Sequence, residues 1–487
     1  MDNLNSKMKQ ATKWSALTEI ASKLVAPITN MILARLLVPE AFGVVATLTM
    51  VVSFAELFTD AGFQKYLVQH EFEDEVDYNL STNVAFWTNL ILSILIWSII
   101  ACFATPIAIL TGVPGSEAAI VAISGEIPLV AFSSIQMARY RREFDFRNLF
   151  VARMTTAAVP LVITVPLALT FRSYWALVLG ILARDLLNAV VLTVRSSWKP
   201  QLQYNFAKLK KMISFSIWTV IENITIWLTN YIGTFIVGMA LNSYYLGLYK
   251  TAMSTVNAYM GIITSATIQV LFSALSRCQN DERLFQEVFF RFQRLAALLV
   301  FPLGLGVYTY RELAVHILLG SQWTECVEFF GWWSLTSAVT TVLSFYNSEV
   351  FRSKGKPKLS VLTQCLHLAA IIPVLLWSMD KGFETLTAAR SIVRLQLVLV
   401  SMCIMHFAMG LSAGKILKNV WCPFAAAVIM AIAGSHLRTA FENIFWELLT
   451  ILFCVMIYAA VLLMIPAGRK LLAEIPILRK LFHLKEE

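Results

Sequence analysis

The chain has 487 residues, 58% hydrophobic and only 14% charged, with a mean hydropathy of +0.69. Soluble domains average about half apolar and a quarter charged, so this composition excludes a soluble globular protein and specifies a membrane protein. A net charge of +9 on so apolar a chain points to anionic lipid headgroups and not to nucleic acid.

Spans of about 20 residues with short links use nearly the whole length and leave no separate soluble domain. Fourteen helices are predicted, at about 14–36, 43–68, 82–109, 117–139, 147–170, 173–195, 212–239, 244–275, 289–310, 326–349, 359–379, 384–408, 419–438 and 445–467. No A-x-A cleavage site precedes the first, which reads as an uncleaved anchor. An all-α polytopic membrane protein is the expected fold class. The seven cysteines are scattered, with no CxxC or Cys/His spacing; neither a disulfide framework nor a metal or other cofactor is expected.

Alternate loops differ in charge. One set carries Arg139, Arg141, Arg142 and Arg147; Arg195, Lys199, Lys208, Lys210 and Lys211; Arg277 and Arg283; Arg352, Lys354, Lys356 and Lys358; and Lys415 with Lys418. The other holds lone charges such as Arg172, Arg311, Lys381 and Arg438. The positive-inside rule then puts both termini in the cytoplasm. The tail AGRKLLAEIPILRKLFHLKEE mixes Leu and Ile with Lys and Arg. It reads as a segment lying along the cytoplasmic interface, or simply as a solvated tail.

Residues Ile32 to Val45, ILARLLVPEAFGVV, align with Ile236 to Tyr249, IVGMALNSYYLGLY, at an offset of 204 that matches Ile32 to Ile236, Leu37 to Leu241 and Gly43 to Gly247. Helices one to six and seven to twelve thus read as two parallel copies. The expected organisation is an N-lobe at 1–203, a C-lobe at 204–410, and two further helices with the tail at 411–487. Two such pseudo-symmetric six-helix lobes around a central cavity suggest a transporter.

Charge inside a span is costly, so it faces a cavity or a partner. Glu19, Lys23, Pro27 and Asn30 share one face of the first predicted helix, and Thr49, Ser53, Glu56, Asp60 and Gln64 one face of the second. Lys23 and Glu56 both fall roughly 20 Å below the outer surface, and Glu19 and Asp60 share the next level. Lys23 with Glu56 or Asp60 forms a candidate ion pair; the alternative is a buried pair that only pins two helices together. Glu222, Asn223, Thr229 and Asn230 line helix seven, and Lys250, Thr251, Ser254 and Asn257 helix eight. Arg184 and Asp185 sit side by side on helix six. Arg390 and Arg394 lie one turn apart on helix twelve, with Arg394 roughly 15 Å deep, too far for easy snorkelling. Glu126 and Glu328 stand alone and read as satisfied or interfacial residues, His367 and His406 as core residues. A cationic lining of Lys23, Arg35, Lys250, Arg390 and Arg394 implies an anionic or phosphate-bearing cargo. Glu19, Glu56 and Asp60 are the candidates for ion coupling or cavity pairing.

No P-loop is present, so ATP does not drive the chain directly. The outer loops are short, and the first, LLVPEAFG, offers only Glu40, which argues against a membrane polymerase or glycosyl transferase.

The run from Ile32 to Gln69 contains Ala34-Arg35-Leu36-Leu37, Pro39, Phe42-Gly43, Asp60-x-Gly62 and Gln69, and LGLYKTA follows at Leu246 to Ala252. These elements resemble the Wzx-type polysaccharide and lipopolysaccharide flippases of the multidrug/oligosaccharidyl-lipid/polysaccharide exporter superfamily. The resemblance is good over roughly the first 290 residues and rests on hydropathy alone after that. Family members often carry an acid late in helix seven; YIGTFIVG, Tyr231 to Gly238, has none, so no proton or cation role carries over to that helix. The resemblance implies a flippase, not an enzyme. Its cargo would be undecaprenyl-diphosphate-linked oligosaccharides, moved across a bacterial inner membrane by alternating access. Membrane lipids are the implied surroundings, and a polysaccharide polymerase and chain-length regulator the implied partners. A drug or cation antiporter of the same superfamily, or a polytopic polysaccharide-assembly enzyme, are the alternatives.

Overall fold

A computed structural model describes residues 25–59, 62–143, 145–356, 358–441 and 443–474. Helices and short helical turns account for every element of regular structure among them. Eleven helical segments are long and apolar enough to cross a membrane, and the protein is a multi-pass membrane protein. Most begin and end within a few residues of the predicted spans. Three predicted spans fall outside the eleven. Residues 14–36 are described only from Val25 to Leu36. The helix Phe206–Ala240 is diluted by Asn223, Thr225, Thr229 and Asn230. The segment from Val327 to Ser353 is diluted by Ser334, Thr336, Ser337, Thr340 and Thr341 and contains a π-helical turn at Thr341–Phe345.

The chain divides into two compact units, Met1–Lys250 and Thr251–Glu487. In the first unit the helices are α1 (Val25–Leu36), α2 (Pro39–Thr59), α3 (Phe63–Gln69), α4 (Glu75–Cys102), α5 (Ala104–Leu110), α6 (Glu117–Ser124), α7 (Glu126–Arg142), α8 (Phe146–Val159), α9 (Val165–Phe171), α10 (Tyr174–Arg195) and α11 (Phe206–Ala240). The helix α12 (Ser243–Arg277) runs on into the second unit. α2 is central to the first unit and packs on α4, α6, α7, α10 and α11. Val44, Leu48 and Val52 of α2 meet Ala108 of α5, Ile120 and Ile123 of α6, Ile127 of α7 and Val178 of α10 in one apolar core. A second core joins Phe63 and Leu67 of α3 to Phe86 of α4, Ile135 and Ala138 of α7, and Trp198. Apolar residues are not confined to buried faces. Ile91, Ile94, Leu95 and Ile99 of α4 are exposed at helical spacing, as expected of a face that meets lipid.

Helix ends follow local chemistry. Pro39 opens α2, where a missing N–H costs nothing. The Asp74 carboxylate accepts the Asp77 N–H at 2.7 Å and starts α4 several residues before the predicted span. The second predicted helix, 43–68, is not continuous: Gly62 takes a left-handed φ of 78°, which only glycine adopts cheaply. Gln64, assigned to the α2 polar stripe, therefore lies on α3, where it accepts from Arg141 at 3.4 Å.

The two stretches aligned at an offset of 204 share a helix boundary. α1 ends at Leu36 and α2 begins at Pro39; α11 ends at Ala240 and α12 begins at Ser243, so both boundaries repeat at the offset of 204. The repeated stretches also touch each other reciprocally. A Cβ on Gly43 would lie 1.8 Å from the Ser243 oxygen, and a Cβ on Gly247 would lie 1.8 Å from the Pro39 oxygen. Gly43 is the repeat equivalent of Gly247, and Pro39 of Ser243, so the crossing has local two-fold character.

The second unit contains α13 (Glu282–Thr309), α14 (Arg311–Leu318), α15 (Val327–Thr340), α16 (Asn347–Ser353), α17 (Lys358–Ser378), α18 (Phe383–Met409), α19 (Ala413–Arg438), α20 (Ile444–Met464) and α21 (Pro466–Ala473). α13 packs on α15 and α19, and α18 on α15 and α17. Phe285, Phe289, Phe301 and Phe330 are fully buried. At the end of the described chain Glu474 pairs with Arg294 at 3.0 Å and Arg291 at 3.3 Å. Leu471 and Leu472 of α21 are buried while Arg469 and Lys470 are exposed, as a short interfacial helix requires. Residues 475–487 lie outside the described residues.

Candidate functional site

In the second unit Trp333, Ser337 and Thr340 occupy one face of α15 at positions i, i+4 and i+7. Opposite them α18 presents Arg390 and Arg394. The Arg394 guanidinium lies 3.8 Å from the centroid of the Trp333 ring and that of Arg390 5.1 Å. Arg394 donates to Ser337 Oγ at 2.7 Å and Thr340 Oγ1 at 3.3 Å. The Trp333 indole N–H donates to Asn257 of α12 at 3.3 Å, which fixes the ring plane.

Arg390 is only 6% exposed, and among the described residues its Nε and Nη1 donate to nothing. A cation–π contact is worth about 0.5–2 kcal/mol. Leaving two donors of a buried cation unpaired costs more, of order several kcal/mol. The Arg390 pocket therefore requires an acceptor. His367 of α17 is 4% exposed, sits in contact with Gln396 at 3.1 Å and feels both arginines.

Arg394 also lines a cavity of about 250 Å³ with Asn257, Thr264, Ser337, Thr340, Ser344 and Gln364. The wall is rich in hydroxyl and amide groups, and among the described residues no carboxylate lines it. The π-helical turn at Thr341–Phe345 supplies part of that wall, in keeping with the frequent placement of such turns at functional positions.

The first unit holds a second charged centre. The Arg184 side chain of α10 is clamped by the adjacent Asp185, Nε to Oδ1 at 2.8 Å and Nη2 to Oδ2 at 2.9 Å. Nη2 also reaches Glu126 Oε1 of α7 at 3.2 Å. Glu126 thus does not stand alone, contrary to expectation, because α7 and α10 pack side by side. Glu56 of α2 interacts electrostatically with both Glu126 and Arg184. Arg184 borders a cavity of about 580 Å³ between α1, α2, α8 and α10, with Asn30, Arg153, Thr156 and Thr164 also in its wall. A π-helical turn at Pro160–Thr164 contributes here too.

Arg390 and Arg394 come together as the spacing required. Lys250 lies in the first unit, where its ammonium sits 4.6 Å from the Tyr231 ring centroid. That ring stacks on Trp227, whose N–H donates to Ser53 Oγ at 3.0 Å. Arg35 is exposed near the end of α1, and Glu56 is half-buried. Glu19, Lys23 and Asp60 lie outside the described residues, and so does the pairing of Lys23 with Glu56 or Asp60. Glu328 is not alone either: it pairs with Arg311 at 2.7 Å. His406 is exposed and so is not a core residue. Sequence reading missed Trp333, whose signal was the helical spacing Trp-x3-Ser-x2-Thr, and missed Glu126 as the partner of Arg184, for which no local signal exists.

Residues 32–328, more than half of the chain, match the family described as polysaccharide biosynthesis protein. The chain is 28% identical over 340 residues to the succinoglycan biosynthesis transport protein ExoT of Rhizobium meliloti, covering 68% of this chain and 67% of that protein. It is 19% identical over 432 residues to the lipopolysaccharide biosynthesis protein WzxC of Escherichia coli, covering 87% of this chain and 86% of that protein. Its fold is similar to a structure of the lipid II flippase MurJ in an inward closed conformation, with a TM-score of 0.75, 13% identity, and coverage of 92% of this chain and 97% of that one. With a family match over more than half its length and a transporter fold of the MurJ type, the chain belongs to the polysaccharide biosynthesis protein family.

Proposed function

We propose that this protein flips undecaprenyl-diphosphate-linked oligosaccharide repeat units across the bacterial inner membrane, for lipopolysaccharide or exopolysaccharide synthesis, by alternating access and with both termini in the cytoplasm. The observation that carries this reading is the Arg390–Trp333–Arg394 centre: a nearly buried guanidinium with two idle donors, beside a second that borders a hydroxyl-rich cavity. Guanidinium matches phosphate oxygens in pairs and stays charged at any working pH. Hydroxyl and amide walls suit sugar hydroxyls.

The family and its structural neighbours are transporters and flippases, which fits a chain that moves its cargo unchanged. A cation antiporter of the same fold would want carboxylates where this cavity presents Arg394. Lys250 and Arg35, and Lys23 beyond the described residues, are further candidate contacts for the anionic headgroup. Glu19, Glu56 and Asp60 remain candidates for ion coupling. Lobes at 1–203 and 204–410 with a tail segment at 411–487 belong to the same reading, as do a polymerase and a chain-length regulator as partners.

The test is polymer export in a deletion strain, with membrane abundance measured for each variant. Deletion should trap lipid-linked repeats on the cytoplasmic leaflet. Arg394→Ala should abolish export at normal abundance, Arg394→Lys should retain part of it, and Arg390→Ala should be impaired less severely. Full export by the double alanine variant at normal abundance would remove these arginines from the mechanism.

A further inference from the structure

The first unit carries a charged centre that the reading above does not use. Two carboxyls, Glu126 and Asp185, share one guanidinium, and the same Arg184 Nη2 serves both, at 3.2 and 2.9 Å. The two carboxyls thus meet at one nitrogen. Glu126 is 7% exposed, and its Oε2 is buried with no donor among the described residues. Other charge reaches the pair from α2, as Glu56, while the face of α4 against α7 contributes the uncharged Asn89, bonded to Ser134 at 2.9 Å. On the cavity side Arg153 of α8 shares the wall with Arg184. Among the described residues Arg184 Nη1 donates to nothing, and the side chain as a whole is 43% exposed.

A buried carboxylate oxygen without a donor is costly, and a second carboxylate on the same guanidinium nitrogen adds repulsion. One proton removes both penalties. Placed on Glu126 Oε2, it neutralises the orphaned carboxylate oxygen. It also leaves Arg184, which lines the cavity, with a single counter-charge. An anion in that cavity and the unprotonated carboxyl pair compete for the same guanidinium. By linkage, whatever favours the proton favours the anion, and the reverse.

We propose that the cavity bordered by Arg184 and Arg153 is a proton-linked anion site: an oxyanion of the phosphate or sulfate class binds there together with one proton taken up by the Glu126–Asp185 pair. This rests on the reading of the cargo as phosphate-bearing. It adds a place where proton and anion are coupled. The proton comes from water and is held as the Glu126 carboxylic acid; when the anion leaves, the carboxylate re-forms on Arg184 and the proton returns to water.

The experiment is isothermal titration of sulfate, whose charge is constant across the working pH range, into the purified full chain carrying Arg390→Ala and Arg394→Ala, so that the other arginine centre does not contribute. Titrations are run at several pH values and in buffers of different ionisation enthalpy. The expected result is sulfate affinity that falls as pH rises, approaching tenfold per pH unit, with uptake of close to one proton. Glu126→Gln in the same background should keep the binding and flatten its pH dependence. Arg184→Gln should weaken binding at least tenfold at every pH; if it fails to accumulate, Arg184→Lys should still weaken it, because the paired fork is lost. Undetectable or pH-independent sulfate binding, an unchanged slope in Glu126→Gln, or undiminished binding in whichever Arg184 variant accumulates would each overturn the proposal. Export by the unmutated protein and its loss in Arg394→Ala are read separately, so either conclusion can fail alone.

Discussion

The crossing of α2 and α12 makes a demanding prediction. Alanine at Gly43 would put its Cβ 1.8 Å from the Ser243 oxygen and 2.9 Å from the Gly247 nitrogen. Alanine at Gly247 would put its Cβ 1.8 Å from the Pro39 oxygen and 3.1 Å from the Gly43 nitrogen. Ordinary contact begins near 3.4 Å, so one methyl must push the two backbones apart by about 1.6 Å. Both obstacles are backbone, so no side-chain rotation relieves the clash. Overpacking of this kind costs about 1–3 kcal/mol and at times more. Gly43→Ala and Gly247→Ala should each lower the thermal unfolding midpoint in detergent and reduce membrane abundance. The double variant is the sharper case. The first methyl opens the crossing and makes room for the second, so the combined cost should fall short of the sum by at least about 0.5 kcal/mol. If both single variants melt as the parent does, or their costs add fully, the reciprocal close approach is not a real constraint on the fold.

Two further outcomes follow from named contacts. Arg142 Nη1 donates to the Leu67 oxygen at 2.9 Å and the His70 oxygen at 2.8 Å at the end of α3, and its guanidinium lies over Phe72 and Tyr78. Arg142→Ala should therefore cost about 1–3 kcal/mol, seen as a lower melting temperature, and an unchanged melt would show that the α3 end holds without it. For orientation, Lys358→Cys should resist a membrane-impermeant thiol reagent in intact cells and Lys381→Cys should react, in a background where the exposed Cys102, Cys365 and Cys403 are replaced. The opposite labelling pattern would reverse the proposed topology.

The sequence alone determined where most helices run, because span length and capping are local. The ends of α10, α17 and α18 fell within a residue of their predicted places. It also matched one helix break to another at an offset of 204, the break after Leu36 and that after Ala240. It placed Arg390 and Arg394 on one face, because a helix turn brings positions four apart together. What the tertiary structure decided is which helix faces which. Glu126 and Arg184 are 58 positions apart, and Arg394 and Ser337 are 57 apart; nothing local pairs them. Trp333 became a platform for two cations only when α15 and α18 packed together. A hydropathy sum over one span records how many polar groups the span holds. Whether each meets a partner, a cavity or lipid depends on the neighbouring helix that packing supplies.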